Sequence, residues 1–74
     1  MEIRDLVDVK ALVEAGEDLG AALTMVIQKD GGFSPPDLAW VLKSLNVRAL
    51  AQADGYDPAT LLAFRDYLVD RLLA

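Results

Sequence analysis

Apolar residues recur along this chain every three or four positions, which is the period of one side of an α-helix. The segments that follow this period cover approximately residues 3–15, 18–29, 35–54 and 58–73. None of them shows the strict alternation expected of a half-buried β-strand. The pattern therefore predicts an all-α fold, a small bundle of four helices in a single domain spanning residues 1–74.

The third predicted helix contains the main ambiguity. Asn46 is a typical helix stop, and a break near this residue would give a bundle of five helices. One apolar stripe nevertheless keeps its phase across this position, and its members are Leu38, Val41, Leu42, Leu45, Ala49 and Ala53. The unbroken phase favours one long helix over residues 35–54, with the break as the alternative.

The last two predicted helices have more apolar surface than one core contact would cover. The surplus consists of Trp40, Val47, Ala51, Leu62, Val69 and Leu73. A helix with two apolar faces needs two partners, so these residues are candidates for an interface. The alternative is that a break near residue 46 resets the phase and brings both stripes of the third segment into one core.

A short pattern occurs twice and indicates how helices are joined. The two copies are QKDGGFSPPDLAWVL, residues 28–42, and QADGYDPATLLAF, residues 52–64. Each contains Asp-Gly, an aromatic residue, and a polar residue followed by Pro. Ser34 and Asp57 are predicted N-caps, because Pro follows each of them at the first helical position. The repeat therefore predicts one kind of helix-to-helix corner used twice.

The small size of the domain points to self-association. A domain of this length buries only about 60% of the surface that its unfolded chain exposes. The chain has no Cys and no His, so it has neither a disulfide nor the usual ligands of structural zinc. Association remains as a source of stability, and 54% of the residues are hydrophobic. We expect a homo-oligomer, most simply a symmetric dimer.

Charge and hydropathy exclude two classes of partner. The formal net charge is −5, and the seven Lys and Arg residues are scattered, so no basic face could neutralise nucleic-acid phosphates. The longest uncharged, apolar-rich run, residues 19–28, is about half the length that crosses a bilayer. The opening MEIRDLVD is too acidic for a signal peptide. We expect a cytoplasmic protein that binds neither nucleic acid nor membrane.

Catalytic chemistry has little to build on in this sequence. Without His or Cys there is no ordinary catalytic triad, no thiolate nucleophile and no imidazole base. Asp5 with Asp8 and Asp66 with Asp70 fall at helical spacing, but such pairs more commonly serve surface solubility. The loops at Asp30 and Asp54 lack the ligand spacing of a calcium loop. The sequence predicts a protein that is not an enzyme and has no metal or cofactor.

One short stretch resembles a known family. Gly31-Gly32-Phe33-Ser34 is similar to the Gly-Gly-x-Ser signature of peptidyl carrier proteins, and the chain's size and acidity are similar as well. The resemblance implies that Ser34 would be the attachment site of a phosphopantetheine arm. Carrier proteins have an apolar residue directly after this serine, whereas this chain has Pro35. The competing interpretation of Ser34 is the N-cap described above.

Together these observations predict a non-catalytic protein–protein interaction module that works as a homo-oligomer and contacts another protein. An adaptor, a docking domain, a regulator or an inhibitor would fit, and small phage-encoded proteins and docking domains of multienzyme assemblies share such traits. A carrier protein with Ser34 as its modified residue is the first alternative. An acidic inhibitor of a nucleic-acid-binding protein is the second.

Overall fold

A computed structural model of the chain describes residues 2–29 and 34–74. Within these ranges the protein consists of helices without a strand, which confirms the predicted all-α bundle. The helices are α1 (Ile3–Glu14), α2 (Leu19–Lys29), α3 (Pro35–Ser44), α4 (Val47–Ala53) and α5 (Pro58–Leu73).

The favoured single helix over residues 35–54 is wrong, and the alternative break near residue 46 is right. Leu45 has extended backbone angles, with φ −73° and ψ 128°. The side-chain oxygen of Asn46 then accepts a hydrogen bond from the backbone N–H of Ala49 at 3.3 Å. This side chain satisfies one of the free N–H groups at the start of α4 and so stabilises a new helix start.

The break brings the α4 part of the second stripe into the core. Val47 is only 1% exposed and Ala51 is fully buried, so the structure places these two interface candidates in the core of the chain. Because α4 starts anew after Asn46, its orientation is independent of α3. Its apolar side packs against α5 and α1.

The joint between α1 and α2 is a Schellman corner. Gly16 has a φ of 91°, a left-handed conformation that glycine adopts without steric cost. The N–H of Glu17 donates to the carbonyl of Leu12 at 3.0 Å, and the N–H of Gly16 donates to that of Val13 at 3.1 Å. Two residues after the glycine, the Asp18 carboxylate accepts from the N–H of Ala21 at 3.0 Å and starts α2.

The joint between α4 and α5 has the same design. Gly55 has a φ of 79°, and the N–H of Tyr56 donates to the carbonyl of Ala51 at 2.8 Å. Asp57 again follows two residues after the glycine, at the N-cap of α5. The predicted repeat paired this joint with the one before α3, of which residues 30–33 lie outside the described part of the chain. The described pair of equal corners is instead at Gly16 and Gly55.

Helix α5 contacts three of the other four helices. This helix packs against α3, α4 and α1, and α1 also packs against α2 and α4. The largest fully buried side chains come from four helices: Leu6, Val9, Leu38, Leu42, Val47 and Leu68. Within the described residues, α2 and α3 are edge helices, each with one principal neighbour. The outer sides of these two helices therefore face solvent.

The N-cap of α3 gives a prediction for stability. The Ser34 hydroxyl oxygen accepts a hydrogen bond from the N–H of Asp37 at 3.3 Å. We expect Ser34→Ala to lower the free energy of unfolding by about 1 kcal/mol, the usual cost of losing an N-cap. Urea unfolding followed by circular dichroism would measure the loss. Ser44→Ala, an exposed site at the other end of α3, is the control and should change stability by less than about 0.5 kcal/mol. Equal effects at the two sites would contradict the capping role.

Candidate functional site

The outer face of α3 exposes the protein's single tryptophan. Trp40 is 69% exposed, while Leu38 and Leu42 on the opposite side of the helix are fully buried. Around Trp40 on this face lie the exposed side chains of Asp37 and Lys43. Tryptophan is highly buried on average in folded proteins, so a largely exposed indole ring is an unusual feature. Trp40 contributes almost nothing to the core of the monomer.

The structure separates the six predicted interface residues. Val47, Ala51 and Val69 are buried, so these three candidates pack inside the chain. Leu62 is partly buried against the core, and Leu73 is 54% exposed. The wide apolar arc of α5 is explained by its position, because three helices cover it from different sides. Trp40 and Leu73 are the members that remain well exposed.

A groove between α1 and α2 was not anticipated from the sequence. Its volume is about 230 Å³, and its apolar lining consists of Val9, Leu12, Ala22, Met25 and Val26. Met25 is 61% exposed and forms part of the wall. The apolar stripe of α2 that can be read from the sequence passes through Ala22 and Val26, and Met25 lies beside it. Met25, an apolar residue at the border of this stripe, was the feature of the sequence that could have indicated an exposed apolar surface on α2.

Two carboxylates line the same groove. Asp5 is buried and accepts a hydrogen bond from the N–H of Glu2 at 3.1 Å, as part of the capping box that starts α1. Asp8 is exposed, one turn further along α1. No Lys or Arg is among the described residues that line this groove. It is thus an apolar groove with negative charge at its edge.

A smaller groove of about 190 Å³ lies where α1 meets the start of α5, next to Lys10, Asp57 and Thr60. The Thr60 hydroxyl donates a hydrogen bond to the Asp57 carboxylate, and this bond is the main reason why the pKa of Asp57 lies below its ordinary value of 3.8. Loss of hydration opposes the shift. The backbone N–H groups of Ala59 and Thr60 lower the pKa further, although neither donates a capping hydrogen bond to the Asp57 side chain.

The charged groups of this smaller groove have structural partners. Lys10 pairs with Glu14 one turn along α1, and Asp57 binds the Thr60 hydroxyl. A carboxyl group with a lowered pKa remains ionised near neutral pH, where it is a poor general acid. Asp57 is the N-cap residue of α5, as predicted, but its carboxylate accepts from the Thr60 hydroxyl and not from a backbone N–H group. This arrangement forms the start of α5.

The remaining candidates for chemistry also have structural roles. The hydroxyl of Ser34 caps α3, and residues 31–33 of the carrier-like signature lie outside the described part of the chain. Asp66 accepts from Arg65 at 2.8 Å. Residues 2–29 and 34–74 contain no group of three carboxylate, His or Cys side chains that could hold a metal ion. In the same ranges, no helix has the length and apolar character needed to cross a membrane.

Comparison of the chain with protein-family models, with curated proteins and with solved structures finds no match in any of the three. The function must therefore be argued from the residues and their arrangement.

Proposed function

We propose that the protein is a non-catalytic interaction module that associates with itself, using Trp40 on the outer face of α3 as its anchor. The observation that supports this most directly is the exposure of Trp40 beside a core that is complete without it. Tryptophan is among the residues most enriched at the energetic centres of protein interfaces. Its large ring gains much from burial, and its N–H group still finds a hydrogen-bond acceptor there.

A second copy of the chain is the partner that this surface favours. Symmetric homo-oligomers are the commonest soluble assemblies. A stable interface buries about 800 Å² per partner, which is less than a fifth of the 4466 Å² surface of this protein. A domain of this size also has little core of its own and gains stability from a partner. A cytosolic location belongs to the same proposal and is supported by the sequence, which has no Cys.

Net charge works against self-association and indicates which contacts must drive it. Each copy has a formal charge of −5, so two copies repel each other at a distance. At physiological ionic strength this repulsion is screened beyond about 8 Å. The association must therefore come from close apolar contacts, for which an exposed indole ring is suited.

Sedimentation equilibrium on the wild type and on Trp40→Ala tests the proposal. The wild type should be oligomeric at tens of micromolar, an ordinary range for a modest homodimer. Trp40→Ala should raise the dissociation constant about 30-fold, which corresponds to the loss of a 2 kcal/mol hot spot. Its circular dichroism should remain that of the wild type, and so should its stability at concentrations where both proteins are monomeric, since the residue lies outside the core.

Tyr67→Ala is the matched control for this experiment. Tyr67 is a 46% exposed aromatic residue on α5, so its removal tests whether the loss of any exposed ring has the same effect. It should leave the association unchanged. A wild type that is monomeric over the whole concentration range would overturn self-association as the function.

A further inference from the structure

We infer that Trp40 of one copy docks into the groove between α1 and α2 of another copy, with Lys43 next to Asp8. This inference rests on the proposed self-association and adds the surface that receives the anchor. The contact joins unlike surfaces of two copies, Trp40 of one and the groove of the other, and is not a contact between two Trp40 side chains.

The size and lining of the groove suit an indole ring. An aliphatic cavity of about 150 Å³ accommodates benzene, and this groove has about 230 Å³ and is open to solvent. Its floor is formed by Val9, Ala22 and Val26, which are buried and belong to the core. Met25 forms a wall that can adapt to a ring, because its side chain is flexible and its sulfur makes favourable contacts with aromatic groups.

The charges of the two surfaces are complementary. Asp8 is the exposed carboxylate of the groove, whereas Asp5 is engaged at the start of α1. Lys43 follows Trp40 by three residues and is exposed on the same side of α3. It forms no ion pair within the described residues. The indole N–H is a donor only, so the carboxylate of Asp8 is a suitable acceptor for it as well.

The arrangement of the helices makes this a contact between copies. The groove lies on α2 and α1, while Trp40 lies on α3, which packs against α5. Trp40 is absent from the lining of the groove in its own chain and is exposed there. A contact between unlike surfaces either closes reciprocally in a dimer, with two equal contacts, or continues into a larger ring.

A mixing experiment separates this contact from a contact between two Trp40 side chains. Trp40→Ala removes the anchor and leaves the groove intact. Met25→Lys leaves the anchor intact and puts a positive charge in the groove, where it would repel Lys43 of the docking copy. Each variant alone should associate at least about tenfold more weakly than the wild type, a change of about 1.4 kcal/mol. An equimolar mixture should show a weight-average mass above the mean of the two separate samples, because one intact pair of surfaces is restored.

Gln28→Lys is the matched control, since it adds the same charge on α2 at an exposed site that does not line the groove. It should leave association unchanged. Circular dichroism would check the fold of every variant. If Met25→Lys does not fold, Asp8→Lys on the opposite wall replaces it, because Asp8 is exposed on α1.

The possible results decide separately on the inference and on the proposed function. Weakening by Trp40→Ala without weakening by the groove variant would overturn the groove contact and retain self-association through Trp40. Two weak variants that do not recover when mixed would also overturn it. A monomeric wild type would overturn the proposed function, and the inference with it.

Discussion

Leu68→Ala should lower the free energy of unfolding by about 2–5 kcal/mol, the range for truncating a leucine in a packed core. Leu68 is fully buried on α5, the helix that α3, α4 and α1 all contact. The substitution removes apolar surface from the centre and leaves a cavity that several helices would have to close. A chain of 74 residues has a total stability of only about 4–11 kcal/mol at ordinary values per residue. The variant should be partly unfolded at physiological temperature.

Urea unfolding followed by circular dichroism would measure this loss. Leu73→Ala is the matched control, because it makes the same chemical change on the same helix at a side chain that is 54% exposed. It should cost less than about 1 kcal/mol, as expected for a site outside the core. If Leu68→Ala is tolerated as well as Leu73→Ala, the arrangement around α5 is incorrect.

Val47→Asp should destabilise the protein by about 3–5 kcal/mol at neutral pH, as expected for an uncompensated charge in a protein interior. Val47 is buried at the first position of α4. An aspartate is favourable for the helix at that position, so the loss would measure burial and not helix propensity. If this residue belonged to an intermolecular interface, the same change would dissociate the protein and leave the monomer folded.

The effect of this substitution should depend on pH in a defined direction. Burial disfavours the charged form, so the new carboxyl has a higher pKa in the folded state than its unfolded value of about 3.9. Below that unfolded pKa both states are protonated, and the penalty is smallest. It grows as pH rises from the unfolded pKa to the folded one. Thermal unfolding at pH 3 and pH 7 would test this, with Ala49→Asp at an exposed site of the same turn as the control.

The class of the fold could be predicted from the sequence because the apolar period is regular. Three predicted helices have the observed bounds to within about a residue. The failure at Asn46 has a specific cause. The stripe that favoured one helix continued across the break through Ala49 and Ala53, and both residues are exposed, so their apolar character did not report burial. The cap made by the Asn46 side chain is a local hydrogen bond that apolar periodicity cannot reveal.

The candidate site was harder to predict because exposure depends on how helices are placed around each other. Val69 was assigned to a surplus face, whereas the neighbours of α5 bury it. The groove at Met25 depends on the angle between α1 and α2, for which the sequence contains no direct signal. Trp40 was placed correctly, opposite the core stripe of its own helix.

The exposure of Trp40 determines what the protein's intrinsic fluorescence can report. This residue is the chain's single tryptophan, and its ring is already largely in water when the monomer is folded. Its emission therefore differs little between the folded and unfolded monomer, so fluorescence would follow unfolding poorly. Burial of the ring against another molecule would instead shift the emission to shorter wavelength. The indole is thus a natural probe of binding in a protein whose folding must be followed through its helices.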